Sequence, residues 1–246
     1  MEPTLAQLGL LAAAGLVAGV VNTMAGGGSL LTLPLLVFLG MPGTIANGTN
    51  RVAVLVQGVV GAWRFHAEGV SGFAGSVKFL PPLVTGAAIG ALAIAQVTPE
   101  TFERLFGLVM LAVLVPTLWR PRPVGAGGSW SPLVQTAVMF GIGLYGGAFQ
   151  AGVGVFLVLA LARGGHGLVV ANSIKSVVIA AFTAIAVVVF VLKDQVVWLP
   201  AMVLSASTAL GAVAGARLAV KGGDALIRPV LAIAVIAMAG RMLGLY

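Results

Sequence analysis

Continuous apolar runs of membrane-spanning length recur along this chain with scarcely a charge inside them, and that confines the fold to helices in lipid. Crossing about 30 Å of hydrocarbon takes about 20 residues at 1.5 Å each. The runs cover roughly 5–39, 45–65, 73–96 and 102–119, then 131–162, 168–192, 196–218 and 225–244. A β-barrel would show alternating segments of about ten residues instead. Only 8% of the residues are charged and 60% are hydrophobic, whereas a soluble domain carries about 25% charged residues. The expected fold is therefore an all-α integral membrane protein of about eight transmembrane helices, multi-pass, with the lipid bilayer as its first partner.

The formal net charge is +7, but the basic residues stand singly at the ends of apolar runs. That is the distribution produced by the positive-inside rule, and it argues against nucleic acid as a partner. The absence of cysteine removes disulfides, thiolate metal sites and cysteine nucleophiles. Residues 1–10 lack the basic segment of a signal peptide, so the stretch from Leu8 reads as part of the fold.

Two of the runs are interrupted, and in the same way. Ala25-Gly26-Gly27-Gly28 breaks the first, and Ala151-Gly152-Val153-Gly154 breaks the fifth. A polar cluster follows each break: Ala46-Asn47-Gly48-Thr49-Asn50-Arg51 and Ala171-Asn172-Ser173-Ile174-Lys175-Ser176. Phe79-Leu80-Pro81 pairs with Trp198-Leu199-Pro200, and each precedes a small-residue stripe, Gly86-x-x-x-Gly90 or Gly211-x-x-x-Gly215. The ordered set divides the chain into a first transmembrane repeat (1–119), a Pro/Gly/Arg-rich linker (120–130) and a second repeat (131–246), each opening with a Gly-broken helix. The stripes suit close helix packing within the chain; a homodimer interface is the other use of such a pattern. If the broken segments are re-entrant hairpins, the repeats insert with opposite topology. Arg64, Lys78, Arg120, Arg122, Arg163, Arg217, Lys221 and Arg228 then share one side, and Arg104, Lys193 and Arg241 the other. Full crossings would split them almost evenly, so the charge rule prefers inverted repeats with both termini outside.

Paired, Gly-interrupted segments at matching positions of two halves point to a transporter's central site. Backbone freed from helical bonding is tolerated at membrane depth only inside protein or beside a wet cavity. Helices restarting at Ser29 and Val155 would aim free amides and positive dipole ends at the breaks, an arrangement suited to an anion. The expected substrate site therefore comprises Gly26, Gly27, Gly28, Asn47, Thr49, Asn50, Gly152, Gly154, Asn172, Ser173, Lys175 and Ser176. Lys175 lies within an apolar run with no carboxylate on its helix before Asp194, so it must face a cavity, a counter-charge or, by snorkelling, the interface. A substrate anion is the economical partner, and Lys175→Ala is expected to reduce transport while leaving folding largely intact. Arg51 stands near the start of its run and reads as reaching the interface. Asn47 and Asn172 are read both as helix N-caps and as ligands. Gln57 and Gln150 suffice as interhelical glue.

Little suggests catalysis. His66 and His166 fall near loop ends, no metal-ligand spacing occurs, and the carboxylates (Glu2, Glu68, Glu100, Glu103, Asp194, Asp224) all sit at segment ends. No catalytic residue, metal or cofactor is expected. Three readings stand side by side: a secondary transporter for a small anion, a passive anion channel, and an intramembrane enzyme or assembly factor that lacks a visible nucleophile–base pair.

The same residues carry a family likeness. The run from Leu16 and Gly19 through Ala25-Gly-Gly-Gly-Ser-Leu-Leu, Pro34, Gly40-Met-Pro42 and Ala46-x-Gly-Thr-Asn50 resembles the sulfite exporter TauE/SafE family of membrane transporters. The second half agrees, from Gly143-Leu-Tyr-Gly-Gly-Ala-Phe-Gln-Ala-Gly152-Val-Gly154 to Ala171-Asn-Ser-Ile-Lys175-Ser176. The resemblance implies about eight helices in two repeats, in the cytoplasmic (inner) membrane. It implies transport of a small sulfur-containing anion: sulfite, a sulfonate such as sulfoacetate, or thiosulfate. Asn50 stands where the family commonly has serine after the threonine, and Val153 where the first half has glycine; both departures bear on substrate choice.

Overall fold

A computed structural model describes residues 3–118 and 130–242, with the side chains of 109–118, 223–224 and 227–242 left aside. The expected linker at 120–130, and Arg120 and Arg122 within it, lie almost wholly outside the described residues.

Among the described residues all regular structure is helical: α1 (Leu5–Ala25), α2 (Ser29–Phe38), α3 (Gly43–Ala67), α4 (Phe73–Ser76), a 3-10 turn (Val77–Phe79), α5 (Leu80–Ile94), α6 (Pro99–Leu118), α7 (Pro132–Ala148), α8 (Val153–Arg163), α9 (Leu168–Leu192) and α10 (Trp198–Met242). Four stretches are long and apolar enough to cross a membrane: α1, Phe73–Ile94, α9 and the first 25 residues of α10. α3 is equally long at 25 residues, but its polar first turns lower its hydropathy. One expectation fails here. The runs at 196–218 and 225–244 are one continuous helix, α10, because Gly222 and Gly223 permit a break without imposing one.

α1 opens with a capping box between Thr4 and Gln7 and closes at Gly26, whose φ of 90° no residue with a Cβ adopts cheaply. α2 has 10 residues, about 15 Å, too short to cross. It doubles back along α1: Gly28 lies against Ala18 and Asn22, while Leu36 shares a core cluster with Leu11. α7 and α8 form a second hairpin. Arg163, ending α8, stacks 5.7 Å over the Trp130 ring that precedes α7, and Phe156 meets Tyr145 edge-on. The chain between α7 and α8 is Phe149–Gly152, two residues ahead of the expected position, so Gly154 already lies inside α8. Gln150 (φ 63°) and Gly152 (φ 71°) both take left-handed angles there.

α3 and α9 run antiparallel through the interior. Gly58 abuts Ala180, with room for a methyl group only at 3.1–3.2 Å, and Gly61 faces Ser176, while Gly48 faces Phe190 and Gln195 at the far end. Each hairpin then packs on a distant helix. Gly15 and Gly19 of α1 press on Ser207, Thr208 and Gly211 of α10, and Gly143 and Gly147 of α7 press on Leu83 and Ala87 of α5. Both glycine stripes are thus filled by backbone of the same chain, the close approach that drives packing in lipid.

Candidate functional site

A helix ending inside a bilayer leaves its last carbonyls without partners, and no water is there to take them. Both hairpins end a helix in the protein interior, and each end is met by a cation from elsewhere in the chain. Lys175, on the third turn of α9, is 2% exposed. Its ammonium donates to the Asn22 carbonyl (2.6 Å), the Thr23 carbonyl (2.9 Å) and Asn172 Oδ1 (2.6 Å). Arg51, on α3, is completely buried. Its Nη1 donates to the Gly146 carbonyl (2.7 Å) and Gln150 Oε1 (3.1 Å), and its Nη2 to the Gly147 carbonyl (2.6 Å). Asn47 Nδ2 caps the next carbonyl, Ala148, at 2.9 Å. Cations at helix C-termini also meet the negative end of the dipole.

Arg51 does not reach the interface: α7 and the Phe190 ring, 5.2 Å from its guanidinium carbon, enclose it. Lys175 does not snorkel toward Arg163. Nor do the asparagines cap their own helices. α3 starts after Pro42 and α9 after Gly167, which places Asn47 and Asn172 about one turn inside.

The polar residues of the expected site fall into three groups. Lys175 and Ser176 gather at the end of α1 with Asn22, Thr23 and Gln57 around a cavity of about 10 Å³ that Val54 and Ile179 also line, and Asn172 joins them through Lys175. Asn22 and Gln57 are joined there by a 3.0 Å hydrogen bond. Asn47 and Asn50 lie with Arg51 at the end of α7, where Asn50 Oδ1 accepts from Thr32 of α2 at 2.6 Å. Thr49 and Ser173 turn elsewhere: Thr49 accepts from the Val197 amide at 3.0 Å and the Ser173 hydroxyl donates to the Val70 carbonyl at 2.8 Å, so each anchors a loop. Of the glycines, Gly26 and Gly154 touch backbone to backbone and Gly152 faces Leu30. The Gly28 amide donates to Asn22 Oδ1 at 3.4 Å.

The geometry adds Arg51, Asn22, Thr32, Gln57 and Gln150 to the polar interior. The signal for Arg51 was its charge inside an apolar run, the same signal that marks Lys175. The ion pairs among the described residues are Glu68 with Arg64 and Arg217, so neither buried cation has a carboxylate partner. No cluster of His, Asp and Glu suited to a metal occurs among the described residues.

The family model described as "Sulfite exporter TauE/SafE" matches residues 11–242. The chain belongs to the TauE/SafE family. Similar proteins include a "Probable membrane transporter protein" of Haemophilus influenzae, 27% identical with 96% of this chain and 94% of that protein covered. "Probable membrane transporter protein ORF9" of a Sinorhizobium species is 26% identical, covering 96% and 92%. "Probable membrane transporter protein YfcA" of Escherichia coli is also 26% identical, covering 96% and 89%. No solved structure matches the chain. This TauE/SafE protein is an integral membrane transporter rather than an enzyme, with a small molecule as its substrate.

Proposed function

We propose that this TauE/SafE protein moves a small sulfur oxyanion (sulfite, a sulfonate such as sulfoacetate, or thiosulfate) across the membrane by alternating access, with the anion held at Lys175. The observation that carries this reading is a buried ammonium whose acceptors are two carbonyls and an amide, with no carboxylate. A helix end supplies about half a negative charge, which leaves the ammonium partly uncompensated. An oxyanion would complete the balance, with Asn22, Gln57 and Ser176 lining the same cavity and Asn172 bonded to the ammonium. The family description names sulfite, a tetrahedral-type acceptor of this kind.

The cavity beside Lys175, about 10 Å³, has room for about one water, less than an oxyanion needs. Binding an anion there requires the ammonium to release an α1 carbonyl, which frees the α1–α2 hairpin. The two hairpins and the antiparallel α3–α9 pair read as inverted repeats, joined where Gly26 rests on Gly154. Arg64, Lys78, Arg163, Arg217 and Lys221 fall at one end of the bundle and Arg104 and Lys193 at the other, which orients the first end to the cytoplasm.

The test is sulfite, sulfoacetate and thiosulfate transport in proteoliposomes, with counterflow to separate a carrier from a channel. Wild type should saturate and exchange; Lys175→Gln should lose at least tenfold in rate. Equal rates for the two proteins would discard the Lys175 site, and unitary currents in a planar bilayer would replace the carrier with a channel.

A further inference from the structure

We propose a second oxyanion station at Arg51, near the opposite end of the α3–α9 seam from Lys175. It rests on the transporter reading above and extends it to Arg51, which the sequence reading placed at the interface.

Arg51 differs from Lys175 in what it leaves unused. All three ammonium protons of Lys175 have acceptors. The Arg51 Nε–H has none, and the neighbouring Asn50 amide nitrogen has none either. Both side chains are at least 99% buried, where an unpaired donor is costly and native structures seldom keep one. An oxyanion would satisfy the Arg51 Nε–H and balance a charge that has no carboxylate partner among the described residues; Asn47 Oδ1, one turn earlier on α3, is unpartnered as well. The helix end that Arg51 caps offsets only about half its charge. Phe190 covers the guanidinium face and leaves its edge to donate.

Position supplies the second argument. Gly61 faces Ser176, and Arg51 lies nearly three turns earlier on α3, about 15 Å away along the axis. The two cations therefore project from different levels of the seam. Arg51 stands near the end where α3 begins and Lys175 near the end where α9 begins, so each serves the side its own helix enters from. Between them, Thr183 presents a fully buried hydroxyl that also lacks a partner; it shares the helical face of Ala180 and Ser176 that meets α3. The seam therefore offers an anion two buried stations, one toward each end, and a polar step between.

The test uses the full chain in proteoliposomes and detergent, with sulfite and thiosulfate as probes. Asn50→Asp retains the acceptor for Thr32 and places a built-in anion beside Arg51. It should fold with a melting temperature at or above wild type, lose at least tenfold in transport, and shrink the oxyanion-induced thermal shift. Transport within twofold of wild type overturns the second station, and so does failure to fold, since a carboxylate there should relieve the buried charge. Lys175→Gln separates the two readings. If it is impaired while Asn50→Asp is normal, only the Arg51 station falls; the reverse result keeps Arg51 and removes Lys175. A wild-type chain that neither binds nor moves either probe removes both.

Discussion

Replacing Gly26 with alanine probes a place where the two hairpins touch through backbone. The position carries two separate penalties. Its φ of 90° is left-handed, which costs a residue with a Cβ about 1–2 kcal/mol. The new methyl would also meet the Gly154 backbone and the Val155 amide nitrogen, an overpacking worth about 1–3 kcal/mol. Gly26→Ala should therefore cost about 2–5 kcal/mol in all. Two other glycines separate the terms. Gly69 has a φ of 82° and nothing within 4 Å, and Gly152 has a φ of 71° with only the Leu30 side chain nearby, at 3.4 Å. Alanine at either should cost about 1–2 kcal/mol, the conformational term alone. The assay is reversible unfolding of the purified protein in mixed micelles, followed by tryptophan fluorescence. If Gly26→Ala is no worse than Gly69→Ala, the backbone contact between the hairpins is absent in solution.

Lys175→Ala should impair folding as well as transport, contrary to the expectation from sequence. Removing the ammonium strands the Thr23 carbonyl, since Asn22 keeps the Gly26 amide, at about 1–3 kcal/mol for an unsatisfied group, and a lowered unfolding midpoint in the same micelles checks it. Lys175→Arg should recover more stability than Lys175→Gln, because a cation at the helix end is retained. The chain has no cysteine, so single cysteines at Lys78 and Lys193 report sidedness cleanly. A membrane-impermeant maleimide added to intact cells should label position 193 and not 78; labelling of 78 alone inverts the orientation.

The apolar runs made the helical architecture legible, since nothing else explains stretches such as Leu168–Leu192. α10 was misjudged because two glycines between charged residues are compatible with either a turn or a helix. Lys175 and Arg51 carried the same sequence signal, a charge in an apolar run, but Arg51 lies close enough to its run's start to imitate an interface residue. What buries it is α7, about a hundred positions away, and no local pattern reports that. The partners of both cations are backbone carbonyls, which have no residue type to recognise. For the same reason Asn47 looked like an N-cap while serving the end of a different helix.

The claim on which the functional account turns is that a small oxyanion binds against the Lys175 ammonium. Selenite, the heavier analogue of sulfite, can be located directly by anomalous scattering from crystals of the protein grown in lipid. The account predicts a selenium peak within hydrogen-bonding reach of Lys175 Nζ, with an α1 carbonyl displaced from it. Ordered selenite only at the protein surface, with Asn22 and Thr23 still capped as before, would contradict it.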